Sequence, residues 1–155
     1  PDGKKLATAG YDGAVRIWDL EGKKEVFSRK YPLCSFETVA FSPNGERLAA
    51  GGWEAGDGTI RVFDVKTQRE VLGSGGREGW VFACAALPGS KTVAVAWESG
   101  GIRIVNLDTG AEIRTLDGHR GWVVSLALSP DGKLLLSGGE DRTCESGTSP
   151  LARGD

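Results

Sequence analysis

Apolar and charged side chains trade places along three short stretches: Ala14-Val15-Arg16-Ile17-Trp18, Thr59-Ile60-Arg61-Val62-Phe63 and Gly101-Ile102-Arg103-Ile104-Val105. A period of two sets apolar residues on one face and the arginine on the other, as a half-covered antiparallel strand requires. Across a Gly/Asp turn, each is preceded by an apolar strand at residues 5–9, 47–51 and 92–96, and a fourth such strand falls at 134–137. Each is followed by a turn of the kind that closes hairpins, Glu21-Gly22-Lys23, Lys66-Thr67-Gln68 or Asp108-Thr109-Gly110. Another strand then runs outward, for example over residues 112–116. Residues 37–41, 81–87 and 123–128 are more continuously apolar, the pattern of strands packed on both faces. No segment carries the 3.6-residue period of an amphipathic helix, so the pattern predicts an all-β chain.

The strands recur as a unit. Pro-Asp-Gly-Lys occurs at residues 1–4 and 130–133, with degenerate copies at Pro43-Asn44-Gly45-Glu46 and Pro88-Gly89-Ser90-Lys91, and the prolines are 42, 45 and 42 residues apart. A period in that range marks a propeller-type array of four-stranded blades. The expected units are residues 1–30, 36–73, 80–116 and an incomplete 122–143, with three, four, four and two strands. A closed propeller takes about four to eight blades, so this array is expected to be open. The chain enters the repeat part-way at Pro1 and lacks methionine, which reads as a piece of a longer polypeptide. Residues 144–155 lose the alternation and are rich in Ser, Gly and Thr; they are expected to be disordered or foreign to the fold.

The second strand of each unit ends in an aromatic or apolar residue followed by an acid or amide: Trp18-Asp19, Phe63-Asp64, Val105-Asn106. With this period and turn order, residues 1–143 resemble the WD-repeat family. The resemblance implies a partial, open β-propeller of four-stranded antiparallel blades, in which one repeat supplies the outer strand of one blade and the inner three of the next. It also implies a structural hydrogen-bond series of His, Ser/Thr, Asp and Trp across each blade. His119, Ser137 and Asp141 hold three of those places in the last unit, with Gly147 at the Trp place. Thr8, Asp12 and Trp18 hold three in the first. Asp57 matches in the second, where Phe63 replaces Trp, and Arg77, Ser99 and Val105 stand at the His, Asp and Trp places of the third. No copy is complete, and looser blades are expected, at about 1 kcal/mol for each lost link.

In the family, partners are gripped where the inner strands begin. Carried over by position, that rim comprises Ser35 and Glu37, Trp80 and Phe82, and Trp122 and Val124, with Tyr11, Gly56, Glu98 and Glu140 before the turns. Two Trp, a Phe and a Tyr on one rim have the composition of an interface hot spot. The competing reading packs Trp80 and Trp122 between blades, and Trp53 and Trp97 carry the same ambiguity.

Charge is nearly balanced, 19 Lys+Arg against 21 Asp+Glu, and the basic residues are scattered, which argues against a nucleic-acid footprint. No apolar run approaches the roughly 18–20 residues that span a bilayer, so no membrane partner is expected. Cys34, Cys84 and Cys144 are odd in number and far apart, read as idle thiols in a reducing cytoplasm. The residues suggest no cofactor and no metal. The acidic turn at residues 53–58 offers two carboxylates, too few for calcium, which takes 6–8 oxygens. Arg153-Gly154-Asp155 matches an integrin-binding tripeptide by chance. His119 is the only histidine, so hydrolysis has one possible centre, with Asp117, Ser125 and Ser129 close in sequence. The turn role of Ser129 weighs against it, and no catalytic residue is assigned.

The functional expectation is a non-catalytic protein–protein interaction scaffold in the cytoplasm, part of a larger propeller, binding unidentified protein partners through the rim. The alternative is a sensor propeller attached to a catalytic domain, such as a kinase, outside these residues. The open array also suggests self-association through exposed strand edges.

Overall fold

A computed structural model of the chain describes residues 2–75, 79–88 and 91–148. Among the described residues it has strands and turns and no helix. Four sheets follow one another along the sequence. The first is β1 (Lys5–Ala9), β2 (Ala14–Asp19) and β3 (Lys24–Lys30). The second is β4 (Cys34–Phe41), β5 (Arg47–Glu54), β6 (Asp57–Asp64) and β7 (Glu70–Gly75). The third is β8 (Val81–Ala86), β9 (Thr92–Trp97), β10 (Ile102–Asn106) and β11 (Glu112–Leu116). The fourth is β12 (Val123–Leu128), β13 (Leu134–Gly139) and β14 (Cys144–Thr148). Within each sheet the strands pair antiparallel in sequence order, so every sheet is a meander, a four-stranded blade or part of one. The inner strands β4, β8 and β12 pack side by side, and β1 lies beside β4 because the first blade has no strand of its own there.

The strand β14 corrects the sequence reading, which ended the last blade at Thr143. Leu135 pairs with Gly147 and Ser137 with Glu145, the same register in which Leu6 pairs with Trp18 and Thr8 with Arg16 in the first blade. The segment lacks apolar alternation, yet ladder hydrogen bonds are made by the backbone, which every non-proline residue carries. Residues 149–155, with Arg153-Gly154-Asp155, lie outside the described residues.

Hairpin chemistry explains the acid or amide that ends each second strand. Asp64 accepts the Thr67 N–H (2.7 Å) and hydroxyl (2.9 Å) on Oδ1, and Asn106 accepts the N–H groups of Asp108 (2.8 Å) and Thr109 (3.0 Å). These bonds fold the chain back into β7 and β11. Gln68 and Gly110, one turn position in two blades, sit at φ of 59° and 72°, in the left-handed region that glycine enters freely.

The apolar core lies between blades. Successive residues of one strand point to opposite faces, so β5 sends Leu48 and Ala50 toward the first blade, against Val15, Ile17 and Phe27, and sends Ala49 toward the third. In the same way β9 sends Val93, Val95 and Trp97 to Ile60 and Val62 of the second blade, and Ala94 and Ala96 to Val123 and Leu135 of the fourth. A central blade is therefore apolar on both faces and needs a neighbour on each side. Leu134 and Leu136, on the last blade, are exposed.

A second device ties each of the first three blades across its outer strands. Arg16 pairs with Glu25 (3.5 Å), Arg61 with Glu70 (2.7 Å) and Arg103 with Glu112 (3.6 Å). In the last blade Glu145 stands at the arginine's register position.

Candidate interaction surface

The inner strands share a defect that builds the rim. Pairing is regular until Thr38↔Gly51, Ala83↔Ala96 and Ser125↔Gly138, then jumps to Phe36↔Gly52, Val81↔Trp97 and Val123↔Gly139. One residue is left over in each: Glu37, Phe82 and Val124. These are β-bulges, which free the extra residue from the ladder and re-aim its side chain. The bulge lies just after Ser35, Trp80 and Trp122, so the three pairs carried over from sequence all fall at the mouth of a blade.

The aromatic residues meet there. Ring centroids of Trp53 and Trp80 are 5.9 Å apart, of Trp80 and Phe82 6.0 Å, and of Phe82 and Trp122 5.3 Å, the last pair stacked at 19°. The result is a continuous ridge from the second blade to the fourth. Trp80 keeps 37% and Trp122 41% of its surface exposed, while Trp97 keeps 8%. Exposure separates the two readings: Trp80 and Trp122 lie on the surface, and Trp97 is the one packed between blades. A Cβ on Gly58 would lie 2.4 Å from the Trp97 ring, so the second blade makes room for it by lacking a side chain.

Carboxylates flank the ridge. Glu98 accepts the Trp80 N–H on Oε2 (3.1 Å), and its own N–H donates to the Trp80 carbonyl (2.8 Å). Glu140 makes the same backbone bond to Trp122 (2.9 Å) and its side chain is exposed. The Tyr11 hydroxyl donates to Glu37 Oε2 (3.1 Å), and that carboxylate raises the phenol's pKa. Glu37 Oε1 is shut off from solvent and has no hydrogen-bond partner among the described residues.

Register corrects two assignments in the second blade. Ser35 pairs with Trp53, so Trp53 is the counterpart of Glu98 and Glu140, whereas Gly56 lies at the tip of a longer hairpin. The next residue, Glu54, takes the acid's role expected of Asp57. Its Oε2 accepts from Arg61 (2.6 Å) and lies 3.5 Å from the Thr59 hydroxyl, as Asp12 accepts from Arg16 (2.7 Å). Asp57 is exposed and makes no side-chain hydrogen bond among the described residues. The displacement comes from pairing that runs on through Trp53↔Gly58 and Glu54↔Asp57 before the chain turns.

The structural series is partly assembled. Trp18 donates its indole N–H to Thr8 Oγ1 (3.1 Å), and Asp12 caps its own turn through the Ala14 N–H (3.1 Å). In the last blade His119 Nε2 lies 2.8 Å from Ser137 Oγ and Nδ1 lies 3.0 Å from Asp141 Oδ2. The Asp141 carboxyl is held far below the usual carboxylate range, first by the Thr143 hydroxyl and then by the Arg120 N–H, with the Thr143 N–H and His119 adding to them. Ser, His and Asp in this order invite comparison with a hydrolase triad. The imidazole is buried to 1% exposure, and the position of Ser137 is that of Thr8, which ties two strands together. Ser125 and Ser129 are not among the His119 partners. Ser129 accepts the Leu134 N–H (2.9 Å) and donates to Asp131 (2.6 Å), a turn role. Arg77 lies outside the described residues. Ser99 and Val105 hold their places in the third blade and make no such series.

In the second blade a different cluster replaces the series. The Arg61 guanidinium lies 4.1 Å over the Tyr31 ring and bridges Glu54 and Glu70, and the Tyr31 hydroxyl donates to Glu70. Burial, with Glu54 beside it, pushes the Cys34 thiol up to about 11, and burial does the same for Cys84. Among the described residues no three His, Cys, Asp or Glu side chains gather as a metal site. No helix of the described residues is long and apolar enough to cross a membrane.

Comparison with known proteins agrees with this architecture. The family model "WD domain, G-beta repeat" matches residues 1–19, 34–64 and 110–145. The longest unmatched interval holds β8 to β10 of the third blade, where Ser99 and Val105 replace the expected Asp and Trp. Protein hir-1 of Neurospora crassa is 41% identical over 76 residues, 42% of this chain and 7% of that protein. Small ribosomal subunit protein RACK1 of Schizosaccharomyces pombe is 35% identical over 71 residues, 46% of this chain and 21% of that protein. A guanine nucleotide-binding protein subunit beta of Arabidopsis thaliana is 26% identical over 95 residues, 57% of this chain and 24% of that protein. The matches thus span a quarter or less of each of these three relatives.

Proposed function

The chain belongs to the WD-repeat family, and from that premise we propose that it serves as a non-catalytic platform for protein partners, which it holds on the rim formed by Trp80, Phe82, Trp122 and their neighbours. The observation that carries the reading is the aromatic ridge. Four large rings touch in succession, Trp80 and Trp122 keeping 37% and 41% of their surface exposed, whereas Phe27, Phe36, Phe63 and Trp97 are buried between blades. Rigid blades hold these side chains in place before a partner arrives, which lowers the entropy lost on binding. The relatives' names, among them a G-protein subunit and a ribosomal subunit protein, are those of members of larger assemblies, which supports the same reading. Three free thiols support a reducing compartment such as the cytoplasm.

The test is the double variant Trp80→Ala/Trp122→Ala compared with wild type in affinity capture. The residues are 37% and 41% exposed and make the three ring contacts of the ridge, so unfolding free energy should fall by about 1–3 kcal/mol. Capture should be lost while circular dichroism and a cooperative unfolding transition are kept. Equal capture by the two proteins would reject the rim.

A further inference from the structure

We propose that the rim takes an arginine side chain from an extended segment of the partner, laid on the Trp80–Phe82 stretch between Glu98 and Glu37. The inference rests on the rim reading above and adds the chemistry of what is bound. Aromatic faces attract cations, arginine most often, and a planar guanidinium both stacks on a ring and forks onto carboxylates. The chain builds this arrangement within itself. Arg61 lies over Tyr31 between Glu54 and Glu70, and Arg103 lies 5.5 Å over Trp97 with Glu112 beside it. Among the described residues of the rim the same two components, ring and carboxylate, stand together with no cation paired to them. Glu98 is fastened beside Trp80 by two hydrogen bonds, one to its carboxylate and one from its backbone. Glu37, at the position of Phe82 on the adjoining inner strand, accepts the Tyr11 hydroxyl on Oε2, and it is this oxygen, not the enclosed Oε1, that a guanidinium would share. Arg120 and Arg142, each two residues in sequence from Trp122 or Glu140, are exposed at the fourth-blade end. Glu98 and Glu37 are the carboxylates that the described residues place at the second- and third-blade end of the ridge.

The test uses fluorescently labelled Gly/Ser peptides bearing spaced arginines, with matched peptides in which glutamate or leucine replaces arginine, read by fluorescence anisotropy on the whole chain. The arginine peptide should bind, weaken as salt rises, and lose about tenfold in affinity with Glu37→Gln/Glu98→Gln and at least as much with Trp80→Ala/Trp122→Ala. Glutamine keeps the hydrogen-bond acceptor for the Trp80 N–H, so the carboxylate variant isolates charge from folding. A leucine or glutamate peptide binding as tightly as the arginine peptide, and lost in the Trp variant, would overturn the arginine inference and leave the rim standing. Arginine-peptide binding untouched by the Trp variant would overturn both. No binding by any peptide would also overturn the inference, and the rim would then be judged by affinity capture alone.

Discussion

Replacing Arg61 by Ala measures how the first two blades are joined. The guanidinium donates to Glu54 at 2.6 Å and to Glu70 at 2.7 Å, and lies 4.1 Å over Tyr31, which belongs to the connection between β3 and β4. A hydrogen bond to a charged group is worth about 1.5–3 kcal/mol, and a partly desolvated cation–π contact about 0.5–2 kcal/mol. Removing one partner of a fully buried ion pair costs about 3–5 kcal/mol, mostly from the charge left behind. Arg61 is 16% exposed, but Glu54 and Glu70 are 29% and 28% exposed. Water therefore reaches the stranded carboxylates, and the low end applies, about 3 kcal/mol. The companion variant Glu54→Gln/Arg61→Met/Glu70→Gln removes the stranded charge and keeps the stem packed on Tyr31, so it should cost about half as much as Arg61→Ala. Urea unfolding followed by tryptophan fluorescence gives both values. A loss under about 0.5 kcal/mol for Arg61→Ala, or a triple variant as damaged as the single one, would refute the account.

Asp141→Asn should lower the thermal midpoint by removing the charged acceptor for Thr143, Arg120 and His119. Because the folded carboxyl titrates below its unfolded value of about 3.9, the stabilisation is complete above that pH and drains away as pH falls through the folded value. The gap between variant and wild type should be constant at neutral pH and close in acid. In native protein at pH 8, an aromatic disulfide reagent should modify exposed Cys144 quickly and leave Cys34 and Cys84 until denaturant is added, since both thiols are pushed up to about 11. Fast reaction of all three would contradict their burial. Deleting Phe82 closes the bulge without changing the pairs Val81↔Trp97 and Ala83↔Ala96. The blade should still fold by circular dichroism, while partner capture falls as it does for Trp80→Ala/Trp122→Ala.

The blades were legible in the sequence because their two signals are local. A proline-and-glycine turn opens all four copies and the two-residue alternation marks the first three, and strand edges in the structure shift by only a few positions from those expected. The second blade's turn was not legible. Asp57 aligns with the turn acid by residue type, but two extra ladder pairs displace the acid to Glu54 and the rim position to Trp53. Hairpin length is set by pairing, which a linear alignment does not display. The strand Cys144–Thr148 was missed for a related reason: its place depends on the edge of β13, and its own residues carry no alternation. One signal was available and unused. The intervals Arg16 to Glu25, Arg61 to Glu70 and Arg103 to Glu112 are equal, and all three pairs close in the structure.

The bulges show how such a chain separates holding together from holding on. Residues that pair in the ladders face the neighbouring blade on alternate sides, so their identity is constrained by the packing of Val62, Val93, Val95 and their partners. Glu37, Phe82 and Val124 belong to no ladder pair. An acid, an aromatic ring and a small aliphatic group fill one structural position on adjoining blades, which only a site outside the core tolerates. The contrast between Trp97 and Trp80 makes the same point within one blade. Trp97, in the ladder, is matched by a glycine across the junction, so its loss would open a cavity. Trp80, one residue before its strand, touches other rim rings and solvent, so its loss should leave the blade intact and remove a contact surface. Two tryptophans in one unit thus carry opposite costs, stability for one and recognition for the other, and the position of the bulge decides which is which.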